Sequence, residues 1–166
     1  MGASMMVVVL MGVAGCGKST VGPLLAARLG GDFAEGDTFH PPANVAKMSR
    51  GQPLDDGDRL PWLEAMAAAI RDWRAKTRPT VLGCSALKAA YRDILSGGSP
   101  EVRFVHLHGT KAQVATRLAG RRGHFMPASL LDSQFATLEA PEDALVLDIA
   151  ASPEKLADEA ARRLGA

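Results

Sequence analysis

Only two cysteines, Cys16 and Cys84, occur in the 166 residues. That is too few for a disulfide scaffold, and a domain of this size does not need one. A reducing cytoplasm is the expected setting. An excess of charge of one sign is also lacking: 19 basic side chains stand against 18 acidic ones, for a net charge of +1. Nothing in that balance calls for nucleic acid or a membrane surface as a partner. Long apolar runs are missing. The run over residues 5–11 ends at Gly12; it is too short to span a bilayer and has no basic segment ahead of it, as a signal peptide would. It reads as a buried strand. No repeat, low-complexity tract or linker divides the chain, so residues 1–166 read as one domain. With 47% hydrophobic residues, the chain has enough apolar material for one packed core.

What is present is an alternation of short β-branched runs with longer helical patterns. Strands are expected over 6–10, 32–35, 80–84, 102–107 and 145–149. Helices are expected over 18–29, 44–48, 60–76, 87–95, 111–118 and 129–138. A last helix is capped by Ser152, with Pro153 in its first turn. Trp62, Met66, Ala69, Ile70 and Trp73 recur at helical spacing and give the 60–76 helix one apolar face. Five strands alternating with helices predict an α/β fold, a parallel sheet covered on both faces. Such sheets take ligands at the carboxyl ends of their strands.

The first such edge carries Gly12-Val13-Ala14-Gly15-Cys16-Gly17-Lys18-Ser19. This fits G-x-x-x-x-G-K-[ST] in full, after a strand and opening a helix, which is the context the motif requires. Glycines let backbone N–H groups turn inward around phosphates, and the helix N-terminus adds partial positive charge. Lys18 is expected to reach the β- and γ-phosphates of ATP, and the Ser19 hydroxyl to ligate Mg²⁺. Thr20 completes the nucleotide-binding set. A guanine-specific switch would need Asn/Thr-Lys-x-Asp, and here Thr110-Lys111 is followed by Ala112-Gln113.

Other polar groups follow the remaining strands. Asp37, after the second strand, is either a general base that orients an acceptor hydroxyl or a turn cap. Arg59 is either a clamp for an anionic, hydroxylated substrate or, with Asp58, a surface charge. Lys88 and Arg92 share a helix face at i, i+4; they hold a substrate carboxylate or face solvent. A basic, glycine-containing loop over 120–127, with Arg117 just before it and Arg121, Arg122 and His124 within it, has the charge and the hinge of a lid over ATP; an exposed basic loop is the other reading. No strand-terminal Asp follows the third strand, where Cys84 and Ser85 stand, so Asp37 or water is expected to complete the magnesium shell. Cys16, beside a helix N-terminus, is either a thiol whose oxidation would block ATP or a small residue fitting a tight loop.

The glycine loop from Met11 to Ser19, together with Gly36-Asp37, His40-Pro41, Asn44, Lys47-Met48, Gly51, Pro53-Leu54, Asp58-Arg59, Pro61-Trp62-Leu63, Cys84-Ser85-Ala86-Leu87-Lys88, Tyr91-Arg92-Asp93, Gly123-His124-Phe125-Met126, Ser133-Gln134-Phe135, Leu138-Glu139 and Pro141, resembles the thermoresistant-type gluconokinases. The likeness runs from residue 6 to about residue 150. It implies a P-loop fold like that of the nucleoside monophosphate kinases, with a lid over roughly 120–138. The implied reaction is ATP + D-gluconate → ADP + 6-phospho-D-gluconate, carried out by a cytoplasmic homodimer. By the same resemblance Arg117 is expected over the adenine and Arg121 at the transferring phosphates. His40, His124 and Gln134 are expected around the substrate. Shikimate or a nucleoside monophosphate as acceptor, and a nucleotide-dependent switch, are the competing readings.

Overall fold

The computed structural model describes residues 6–120 and 128–165. Five strands form one parallel sheet: β1 (Val7–Met11), β2 (Asp32–Glu35), β3 (Thr80–Gly83), β4 (Val102–His108) and β5 (Leu145–Asp148), in the order β2-β3-β1-β4-β5. β1 lies in the middle, with Val7 paired to Thr80 of β3 on one side and to Val102 of β4 on the other. A central strand is buried on both faces, which is why β1 is a continuous apolar run rather than an alternating one.

Helices cover both faces. α1 (Lys18–Leu29) and α7 (Pro153–Arg163) pack together on one face, where Val8 and Leu10 point. α3 (Asp56–Arg74) and α4 (Ala89–Ser96) pack on the other, over Val7, Val9 and Met11. Gly22 lets α1 approach β2: a Cβ there would stand 2.2 Å from the Phe33 ring. Three more helices lie among the described residues: α2 (Pro42–Ser49), α5 (Lys111–Ala119) and α6 (Ala128–Thr137). A 3-10 turn, Gly36–Phe39, links β2 to α2.

The largest departure from the sequence expectation is the start of α3, at Asp56 rather than at residue 60. A capping box sets it. The Asp55 carboxylate accepts from the Asp58 N–H at 2.7 Å, and the Asp58 carboxylate accepts from the Asp55 N–H at 3.0 Å. Pro61 is accommodated inside the helix. The early start puts Asp56, Asp58 and Arg59 on the first turns of α3. The Lys47 ammonium donates to the Asp58 carboxylate at 2.7 Å and the Asn44 amide donates to the Asp58 carbonyl at 2.8 Å, which ties α2 to α3.

β1 is followed on one side by β3 and on the other by β4, so the chain's direction of progress reverses at β1. The glycine loop leaves β1 at that switch point, where open α/β sheets form a ligand crevice.

Candidate active site

The loop between β1 and α1 has the backbone its glycines predict. Gly12, Gly15 and Gly17 take φ values of 147°, 82° and 108°, a region that side chains with a Cβ rarely enter. The Lys18 ammonium folds back and donates to the carbonyls of Gly12 (2.7 Å) and Val13 (3.0 Å). These are neutral partners, so the lysine charge stays unneutralised at the loop. Ser19 and Thr20 are exposed on the first turn of α1.

The Ser19 hydroxyl donates to the Glu35 carboxylate at 2.8 Å. Glu35 was not singled out from the sequence, yet it stands at the end of β2 and supplies the acidic oxygen that the third strand lacks. Asp37, expected with water as the alternative to complete a magnesium shell, sits on the 3-10 turn beyond, where its exposed carboxylate lines the cavity described next. Among the described residues no group of three or more His, Cys, Asp or Glu is placed to hold a metal. A Ser hydroxyl beside one carboxylate is nevertheless a hard-oxygen pair of the kind Mg²⁺ accepts when phosphates and water fill its other positions.

A cavity of about 730 Å³ opens beside the loop. Ala14, Lys18 and Asp37 line it together with His40, Arg59 and Trp62. The α2–α3 connection adds Arg50 and Gln52, and α6 adds Leu130, Ser133 and Gln134. Trp62 is buried; its indole N–H donates to the Gly36 carbonyl at 2.9 Å, and its ring stacks on His40 at 4.3 Å and 11°. Burial holds the His40 pKa below its ordinary value, with Arg59 assisting and Asp37 opposing. The Asn44 amide nitrogen, already donating to the Asp58 carbonyl, also approaches His40 Nδ1 at 3.2 Å. His40 Nδ1 therefore accepts, and the neutral ring carries its proton on Nε2, ready to donate.

Gln134 is fastened to the glycine loop: its side-chain carbonyl accepts from the Ala14 N–H at 2.7 Å. Arg117 lies beside the loop as well. Its guanidinium donates to the Ile149 carbonyl, and a Cβ on Gly17 would stand 3.3 Å from it. Arg121 and His124 lie outside the described residues.

Two expectations need correction. Lys88 and Arg92 do not line the cavity. Arg92 is buried, and its guanidinium donates to the carbonyls of Ala86 (2.8 Å) and Glu139 (2.9 Å), so it braces the chain after β3 against the segment after α6. Lys88 is paired with Asp56 at 2.9 Å. The i, i+4 spacing was real, but the first turns of α3 close over that helix face. Cys16 is fully buried, which denies an oxidant the access its proposed redox role needs. Burial pushes the Cys84 thiol up to about 12.

A phosphate-binding loop at the switch point of a parallel sheet, open to a cavity with a carboxylate and an arginine in no ion pair with the described residues, defines a P-loop small-molecule kinase. The shikimate kinase family model matches residues 14–159. A gluconokinase of Gluconobacter oxydans is 52% identical over 86% of this chain and 80% of its own length. The thermoresistant gluconokinase of Escherichia coli K12 is 43% identical over 85% and 83%. The crystal structure of a gluconokinase from Sinorhizobium meliloti superposes with a TM-score of 0.83 at 44% identity, over 97% of this chain and 94% of that one. A shikimate kinase from Aquifex aeolicus superposes with a TM-score of 0.60 at 18% identity, over 96% of each chain, a likeness of fold alone. The chain belongs to the gluconokinase family, within the broader shikimate kinase-like fold.

Proposed function

We propose that the protein transfers the γ-phosphoryl group of ATP to the 6-hydroxyl of D-gluconate, giving ADP and 6-phospho-D-gluconate. One observation carries the reading. A single cavity holds the phosphate-loop lysine, a carboxylate with no hydrogen bond or ion pair to the described residues, and an arginine in no ion pair with them. A sugar acid matches that set, with a carboxylate for Arg59 and a hydroxyl for Asp37.

The glycine loop and first turn, residues 12–20, bind the triphosphate through the main-chain N–H groups that have no partner among the described residues, the Lys18 ammonium and the α1 N-terminus. On binding, Lys18 exchanges its two carbonyl partners for phosphate oxygens. Asp37 orients the acceptor hydroxyl and takes its proton. His40, neutral and held against Trp62, donates from Nε2 to a substrate oxygen. Arg117 packs at the base side of the nucleotide. By the family resemblance, Arg121 stabilises the charge on the transferring group, and His124 and Gln134 cover the substrate. Ser19, held by Glu35, would hold Mg²⁺, and the ion would supply positive charge to offset that of the phosphates. Lys88 and Arg92 act from behind the cavity wall.

Two buried free cysteines and the family likeness support work in the cytoplasm. No described helix is long and apolar enough to cross a membrane. The homodimer rests on the resemblance, and sedimentation at micromolar concentration tests it. A shikimate reading shares the fold and the type of acceptor, but solved shikimate kinases are far more distant in sequence than the gluconokinases. Coupled ADP release with gluconate, shikimate and AMP as acceptors separates the readings. Turnover stimulated by gluconate alone is expected; slow hydrolysis indifferent to gluconate would point to a nucleotide switch.

A further inference from the structure

Arg59 is held in an unusual way for a cation on a cavity wall. Its guanidinium donates one hydrogen bond, to the Tyr91 hydroxyl at 3.1 Å, and its Cζ lies 5.6 Å from the centre of the Tyr91 ring. Both contacts are with a neutral side chain, and no ion pair with the described residues reaches it. The Tyr91 hydroxyl in turn donates to the Asp56 carboxylate. The same oxygen of Asp56 accepts from the Lys88 ammonium at 2.9 Å, and that ammonium also stands 5.6 Å from the Tyr91 ring centre. The four side chains form one chain of donors and acceptors: Arg59, Tyr91, Asp56, Lys88.

We propose that Tyr91, anchored by Asp56, positions Arg59 for the carboxylate of the sugar acid, and that Lys88 neutralises Asp56 so that Arg59 keeps its charge for the substrate. This rests on the gluconate reading above and deepens it.

The physical argument is one of charge accounting. An arginine must be fixed in direction to recognise a carboxylate with its planar fork. The simplest anchor is another carboxylate, but that anchor cancels the charge a substrate would use, and an anionic substrate would then compete with it. A phenol avoids the conflict. It accepts one of the five guanidinium N–H groups and offers its ring face, with no negative charge. Its oxygen becomes a better acceptor because its own proton is donated to Asp56.

The protonation states agree. Hydrogen bonds from Tyr91 and then Lys88 hold the Asp56 carboxyl below its usual range, so it is an anion at neutral pH. Burial, then the bond to Asp56, holds the Tyr91 phenol above its ordinary value, so it keeps its proton. Lys88 is held above its own by the bond to Asp56. The relay is therefore neutral apart from Arg59. It also gives Lys88, which does not line the cavity, a part in recognition.

Tyr91→Phe keeps the ring and removes only the acceptor. Steady-state kinetics with gluconate should show KM raised about tenfold, with kcat and the KM for ATP unchanged. The deciding comparison is the same substitution in an Arg59→Gln background, read as kcat/KM for gluconate. If Tyr91 acts through Arg59, Tyr91→Phe has no further effect there. A merely structural tyrosine would lower kcat/KM by the same factor in both backgrounds, and that result would overturn the proposal. Lys88→Met gives an independent reading. With its partner gone, Asp56 turns its charge on Arg59, and the gluconate KM should rise while the ATP KM does not. A gluconate KM unmoved by Lys88→Met would also overturn it. A wild-type enzyme that releases no ADP with gluconate removes the functional reading and the relay together. An active wild type without the coupling removes the relay alone.

Discussion

The stability of this fold should fall between neutral and mildly acidic pH because of His106. It sits on β4, 4% exposed, opposite Met11 at the mouth of the glycine loop. Burial, followed by the charges of His108, Arg92 and Lys18, lowers its pKa to about 4, against 6.5 for a free imidazole. Between those two values the unfolded chain binds a proton that the folded chain refuses. Stability is therefore whole above pH 6.5 and is lost as pH falls toward 4. At ~1.36 kcal/mol per pKa unit the loss reaches about 3 kcal/mol at pH 4. His40, whose pKa is also lowered, acts in the same direction. The depressed carboxyls of Asp56, Asp58 and Glu159 lose their contributions only below their ordinary values of 3.8, 3.8 and 4.5, so the window above pH 4.5 belongs to the histidines. His106→Phe keeps a planar ring on a β-strand and carries no proton. Urea unfolding at pH 7, 6, 5 and 4.5 is the assay. The wild-type midpoint should drop steadily, and the variant should retain only the shallower slope left by His40. Parallel slopes for the two proteins would refute the assignment of the acid sensitivity to His106.

Other outcomes follow from single side chains. Asp37→Asn should lower kcat by ~10²–10⁴-fold, the usual worth of a positioned acid–base group, with the KM for ATP nearly unchanged; a near-normal kcat would defeat the base assignment. Lys18→Ala should abolish transfer while leaving the far-ultraviolet dichroism intact, because the partners its ammonium has among the described residues, two carbonyls and the Cys16 thiol, all belong to the loop itself. Thr80 carries a buried hydroxyl with no hydrogen-bond partner among the described residues. Thr80→Val keeps the β-branched shape and should raise stability by about 1 kcal/mol in urea unfolding. Cys84, buried and with its thiol pushed up to about 12, should resist iodoacetamide at pH 7.5 in the native state and react once the chain is unfolded, as peptide mass mapping would read.

The sheet was legible because β1 is apolar without interruption and because a complete phosphate-loop motif follows it. Those two facts place a parallel sheet, a switch point and a nucleotide site before any side chain is located. The α3 start was missed because the apolar stripe that marks the helix begins at Trp62, whereas the reciprocal Asp55–Asp58 cap begins the helix earlier. Spacing put Lys88 and Arg92 on one face but could not say that the first turns of α3 and the carbonyls of Ala86 and Glu139 occupy it. Glu35 was passed over because a carboxylate at the end of an ordinary strand has no local pattern; only Ser19, 16 residues away, gives it a role. Arg59 was legible as a cation near the acceptor. Its neutral anchoring was not, since Tyr91 lies 32 residues away and on another helix.

Phosphoryl transfer to the terminal hydroxyl of a sugar acid can be followed by phosphorus NMR of a mixture of enzyme, magnesium, ATP and gluconate. A new phosphomonoester resonance, coupled to the two protons of a primary carbon, should grow in step with ADP. Inorganic phosphate growing in its place, or no change in the ATP signals, would contradict it.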